Sequence, residues 1–448
     1  MRKNYLFLSL ALFGFIFGTA QTDPSWVPQA TNWNEAWGVK EISIVNPTTA
    51  WISSYDGSGA GTYPKDVAKT TNGGATWTAL SISGAPSGAL ISDIAGIDGN
   101  VAYVVTAPSG STSSHNGIWK TTDGGATWSK YAGAVFNNSD SFANHVYFWD
   151  ANNGYSGGDP ANGKFEMYKT TDAGATWTAI TTAPAPLNAN EFTYVGVKKV
   201  VGDNIWLGTS LGRVMRSKDR GATWEVFASP ASDFGGVISS GSSAAFAFAD
   251  NGQDGMLITD DAGAAFLFVT TDGGENWEDA FPVGIWYPGD IAAVPGSTKT
   301  FVSSGINSAA PMGTSYSEDG GVTWIEIDSG QQRGTLAFYN GETGWCGGFS
   351  DGSGGSMGIF KLNGSIGDLG VTDFNHSKLN VYPNPSKDVV NFSSGKEITM
   401  VNIIDMTGKV VAQVKGTQVN VSSLPAGVYV AQVRYADGAA QNTKIVVK

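Results

Sequence analysis

Asp159, in Gly157-Gly-Asp-Pro160, and Glu191 are candidate catalytic carboxyls. Glycoside hydrolysis needs such a pair, with one carboxyl kept protonated. His145 and Tyr147 offer a different chemistry. Either could take a proton from a uronic acid, with Arg213 as the cation beside the substrate carboxylate. A third reading involves no reaction. His115, Trp149, Trp286, Tyr287, Asp290 and Arg333 carry rings and charges suited to holding a ligand, and the catalytic candidates then join them on one binding surface. Trp119 would also suit stacking on a sugar, although packing between strands is the commoner use of such rings. Asp254, Asp260 and Asp261 are the candidate Ca²⁺ ligands, but they lack the regular spacing of a dedicated loop and read as solvated acidic turns. The three His are too scattered for zinc. No glycine-rich strand-to-helix turn supports a nucleotide, so no cofactor or metal is expected.

These residues need a scaffold, and a repeat supplies it. Six segments resemble one another: Thr70-Thr-Asn-Gly-Gly-Ala-Thr-Trp77 and those ending at Trp128, Trp177, Trp224, Trp277 and Trp324. The Trp-to-Trp spacings are 51, 49, 47, 53 and 47 residues. A period this long marks a repeated supersecondary unit, and four strands per unit is a propeller blade. Each unit holds two apolar strands, a loop, a third strand, an Asp-Gly-Gly turn and a fourth strand at the Trp. The segments are similar to the Asp-box, or BNR repeat, of sialidase-like propellers. In that family the hairpin lies away from the active face, which implies that Asn72, Asp123, Asp172, Asp219, Asp272 and Asp319 are turn formers. First strands near Glu41, Ile91, Asn144, Tyr194, Ala244, Ile291 and Thr335 make seven blades. The seventh lacks a fourth strand, and Ser25-Trp-Val-Pro-Gln-Ala30 is expected to supply it, removing two exposed edges.

Composition agrees. Glycine accounts for 60 of 448 residues, charged residues for 15% and aromatics for 12%. That excludes a helical bundle or a disordered chain and suits an all-β protein. Residues 21–376 hold 16 basic and 35 acidic residues, net −19, which argues against nucleic acid and anionic membrane as partners. Residues 1–20 read as a signal peptide: Arg2 and Lys3, a short apolar run, then Gly18 and Ala20 before the cleavage point. No other stretch is apolar enough for a transmembrane anchor. Cys346 is alone, so it forms no internal disulfide and reads as a packed residue.

From Lys378 the pattern changes to short alternating strands, the composition of a small Ig-like β-sandwich. Leu379-Asn-Val-Tyr-Pro-Asn-Pro385, Asp405-x-x-Gly-Lys409 and Leu424-Pro-Ala-Gly-Val-Tyr429, with a basic final residue, resemble the type A sorting domain of the type IX secretion system. That resemblance implies passage to the cell surface or beyond, with the secretion machinery as a partner. The propeller also departs from sialidases. Its only arginines are Arg213, Arg216, Arg220 and Arg333, and the early Arg-Ile-Pro motif is absent, so sialidase activity is not expected. Gly158-Asp-Pro through Thr171-Asp172 resembles the photosystem II stability/assembly factor-like proteins, a fold likeness in exported bacterial proteins.

The expected organisation is a signal at 1–20, a seven-bladed propeller at 21–364, a linker at 365–377 and a sorting domain at 378–448. The expected function is a secreted or surface-held monomer binding a glycan or protein at the propeller mouth. The alternative is a polysaccharide hydrolase or lyase at the same mouth.

Overall fold

The computed structural model describes residues 23–58, 60–110, 113–235, 243–261, 264–306, 311–352, 357–367, 379–394, 397–405, 408–435 and 440–448. The expected signal at 1–20 and the linker from residue 368 lie outside these residues. The described chain is all β apart from one 3₁₀ turn at Ser113–His115.

Seven four-stranded antiparallel sheets form the propeller. Their inner strands are Gly38–Asn46, Ala89–Gly96, Ala143–Phe148, Thr193–Val201, Ser243–Phe248, Asp290–Ala293 and Leu336–Asn340. They touch in cyclic order, blade seven against blade one, and so surround a central channel. Ser25–Ala30 is the outer strand of blade seven, paired antiparallel with Gly358–Asn363.

The repeat hairpins show why six copies share one sequence. In blade two, Asp123 Oδ1 accepts the Thr127 N–H at 2.9 Å and the Thr121 hydroxyl at 2.9 Å, while Thr127 Oγ1 donates to Oδ2 at 2.5 Å. Asn72, Asp172, Asp219, Asp272 and Asp319 accept the equivalent backbone N–H. These bonds, that from Thr127 first, hold the Asp123 carboxyl down to about 2. The side chains close their own turns and have little left for chemistry elsewhere.

The hairpin tryptophans pack between blades. Trp128 meets Trp51 of blade one, and Trp77 meets Trp345 of blade seven, both edge to face. A second regularity lies on the second strands. Trp51 Nε1 donates to the Asp98 carbonyl, Trp206 Nε1 to the Gly273 carbonyl and Tyr103 OH to the Ala173 carbonyl, each reaching the next blade.

The C-terminal sandwich has a three-stranded sheet, Asn380–Tyr382, Val389–Ser393 and Gln418–Asn420. Its four-stranded sheet is Val410–Val414, Ile398–Ile404, Gly427–Tyr435 and Ala440–Val447. Val390, Phe392, Val401, Ile403, Val419, Val433 and Ile445 fill the core between them.

Candidate functional site

Inner strands expose alternate side chains to the channel. A cavity of about 910 Å³ follows the axis. Its lining includes Tyr55, Phe142, Tyr147, Phe192 and Tyr194, with Asp159 and Asn144 among them. Asp159 Oδ1 accepts a hydrogen bond from Asn144 Nδ2 at 2.6 Å. Burial pushes the Asp159 carboxyl up to about 7, against that bond. Phe192 and Tyr194 meet edge to face at 5.0 Å, and Tyr194 OH donates to Asp233 at 3.1 Å.

Deeper in the channel, blade four departs from regular pairing. Thr193 stands opposite Thr209 and Lys198 opposite Leu207, so the inner strand spends five steps where its partner spends two. The bulge carries Gly196 at φ +83 against Glu41 of blade one. Beyond it, Lys198 pairs with Asp93 of blade two and donates to the Val146 carbonyl of blade three at 2.6 Å. Lys199 points the other way, to Asp290 of blade six at 3.6 Å. Adjacent strand residues face opposite sides, which lets one strand reach both. Burial lowers the Lys40 amine to about 8, opposed by Glu41 and Asp93. Burial, then the Asp93 charge, raises the Glu41 carboxyl to about 8.

The structure brings few of the expected site residues together. Asp159, Tyr147 and Asp290 line the cavity. The Asp290 carboxylate accepts the Ile291 and Leu336 N–H groups, so it also fixes blade six to blade seven. Glu191 is buried outside the cavity lining. It takes both Arg213 Nε and Nη2, at 2.7 and 2.5 Å, with the Thr209 hydroxyl and the Leu187 N–H. Burial pushes the Glu191 carboxyl up, and these donors more than offset it, leaving it below the usual range. The two residues satisfy each other, which removes the expected partner of Asp159 and the expected carboxylate-binding cation.

His145 is fully buried off the cavity, and burial beside Lys198 holds its imidazole well below the usual range. His115 also lies off the cavity lining, within the Ser113–His115 turn. Trp149 belongs to the hairpin face, where Nε1 donates to the Gly202 carbonyl and Arg220 lies over the ring. Trp286 packs on the blade five core. Tyr287 is buried with its OH on Glu326. Arg333 is taken by Asp328 and stacks at 4.0 Å on Phe360. Trp119 is buried with Nε1 on Thr106. Asp254 lies 3.5 Å from Lys299. Burial raises the Cys346 thiol far above its usual range, so it has no nucleophilic character.

Sequence reasoning missed Lys40, Glu41, Asp93, Phe192, Tyr194, Lys198 and Lys199. The signal was present. Val39-Lys-Glu-Ile42, Ile91-Ser-Asp-Ile94 and Val197-Lys-Lys-Val200 each place charge inside an apolar inner strand.

Residues 380–448 match the family described as the secretion system C-terminal sorting domain. The C-terminal sandwich is a type IX sorting domain. Over 101 residues the chain is 30% identical to a probable oligoxyloglucan-reducing end-specific xyloglucanase of Neosartorya fischeri, a match covering 21% of this chain and 12% of that protein. The propeller fold is similar to YCF48 from Cyanidioschyzon merolae, at TM-score 0.51 and 15% identity over 76% of this chain and 99% of that one. It is also similar to a GH74 xyloglucanase from Xanthomonas campestris, at TM-score 0.51 and 13% identity over 93% of this chain and 68% of that one. These likenesses concern the fold. Among the described residues, no helix is long and apolar enough to cross a membrane.

Proposed function

We propose that the protein is exported through the signal at 1–20 and the type IX sorting domain, reaches the cell surface or the medium, and binds a glycan at the mouth of the propeller channel. The observation that carries this reading is the cavity of about 910 Å³ whose lining joins Tyr55, Phe142, Phe192 and Tyr194 to Asp159 and Asn144. Aromatic faces suit the C–H faces of sugars, and a few fixed polar groups suit their hydroxyls. The six repeat hairpins act as Asp-boxes, building the scaffold alone. The protein works as a monomer, with the secretion machinery as its partner during export.

Binding of the full chain to immobilised polysaccharides tests the reading. Phe192→Ala and Asp159→Ala should each weaken binding about tenfold, on the order of 1.4 kcal/mol. Unchanged binding in both would exclude the mouth.

One observation favours an enzymatic second reading. Asp159 has an acid's raised pKa, and Tyr194 sits in the field of both Asp159 and Asp233. Product release from neutral or acidic polysaccharides, lost in Asp159→Asn, would establish it over simple binding.

A further inference from the structure

Glu41 differs from every other charged side chain lining the channel. Lys40 donates to the Ile91 carbonyl at 3.1 Å. Lys198 and Lys199 are taken up by Asp93 and Asp290. Asp159 accepts from Asn144, and Asp250 from the Gly296 N–H. Among the described residues, the Glu41 carboxyl makes no hydrogen bond and no ion pair. It faces the blade four bulge, where a Cβ on Gly196 would stand 2.7 Å from Oε1. A half-buried carboxyl without a protein partner gains from a donor that enters the channel.

We propose that Glu41 is a ligand contact deep in the channel, receiving an uncharged, hydroxyl-bearing segment of the glycan held at the mouth. This inference rests on the glycan reading of the mouth. The ligand class follows from the charge arrangement. All three lining lysines already have partners, while Arg213 and Arg333 are consumed outside the cavity by Glu191 and Asp328. The three lysines are outnumbered by the five lining carboxyls, Glu41, Asp93, Asp159, Asp250 and Asp290, so a uronate or sulfate would enter a channel richer in acidic than basic groups. A protonated carboxyl can both donate to and accept from a hydroxyl. Burial and the Asp93 charge shift Glu41 toward that form, against Lys198, Lys40 and Lys199.

The test uses the full chain on an array of neutral hexose polymers and hexuronate polymers, followed by isotherms with its tightest neutral binder. Neutral polymers should bind and hexuronates should be at least tenfold weaker. Glu41→Ala should lose about tenfold, while Glu41→Gln stays within threefold and matches the wild-type melting transition. Wild-type affinity should fall between pH 7 and 9, more than in Glu41→Gln. The same difference should persist in a Lys40→Met background, since Lys40 titrates in that window. Equal or tighter hexuronate binding, or a silent Glu41→Ala, overturns the proposal alone. If no polymer binds, or if Phe192→Ala and Asp159→Ala are also silent, the mouth reading falls and this one falls with it.

Discussion

The repeat hairpin asks for a left-handed residue two positions before its Ala, Glu or Val. Gly73, Gly124, Gly273 and Gly320 fill that place with φ of 69, 75, 75 and 79°. Ala173 and Arg220 fill it at 56°, where a Cβ crowds the following carbonyl. Arg220 has a compensation, an ion pair with Asp203 at 2.7 Å. Ala173 has backbone contacts alone: its N–H donates to the Asn152 carbonyl at 3.1 Å, and its carbonyl receives the Tyr103 hydroxyl and Lys120. Ala173→Gly should therefore raise stability by about 1 kcal/mol, part of the strain being offset by the freedom glycine adds to the unfolded chain. A thermal melt no higher than wild type would show that the strain in the turn is no larger than that offset. At this scale the sequence was readable where a residue's partner lies within its own turn, as for Asp123 and Thr127. It was not readable where the partner comes from the path of a loop. Glu191 and Arg213 look like free catalytic groups until the chain between them folds and pairs them.

The inner strand of blade four shows the same boundary among elements. The strand expected near Tyr194 forms, as Thr193–Val201. The extra residues at Tyr194–Val197 could not be seen, because the units vary between 47 and 53 residues and hide an insertion in their scatter. Yet this bulge accompanies Lys198 and Lys199 across the axis to blades two and six, past the adjacent blades. Asp93 is held there by three donors, Lys198 and the Ile94 and Val146 N–H groups. Lys198→Met removes the only cation among them and leaves a buried carboxylate without its counter-charge. The expected cost is about 3 kcal/mol, since breaking one side of a buried pair strands the other. Chemical denaturation should show that loss, with much of it recovered in Lys198→Met/Asp93→Asn. Full stability in the single variant would mean that the cross-channel tie does not brace the ring.

At the scale of the whole molecule, a propeller has one weak place, the seam where the chain's two ends must meet. The likeness of Ser25–Ala30 to the strands that follow the repeat turns was enough to place that segment at the seam, because a blade short of one strand needs a partner from somewhere. How the seam is locked was not legible, since it depends on a single amide at the junction of three strands. Gln29 Oε1 accepts from Trp77 Nε1 of blade one at 3.0 Å and from Trp345 Nε1 of blade seven at 3.1 Å. Lys361 of blade seven adds a bond to the Gly73 carbonyl of blade one at 2.7 Å. The two indoles also meet edge to face, so Gln29 caps an aromatic junction between the first and last blades. Its truncation strips both buried N–H groups of their acceptor at once. Gln29→Ala should then cost about 2 kcal/mol, the penalty for leaving buried donors unsatisfied. The loss should be local to the seam: amide exchange at Ile359–Lys361 should quicken, while exchange at Ala244–Ala247 on the far side of the ring stays slow. Equal acceleration at both sites would show that the ring unfolds as one unit and that Gln29 is not its latch.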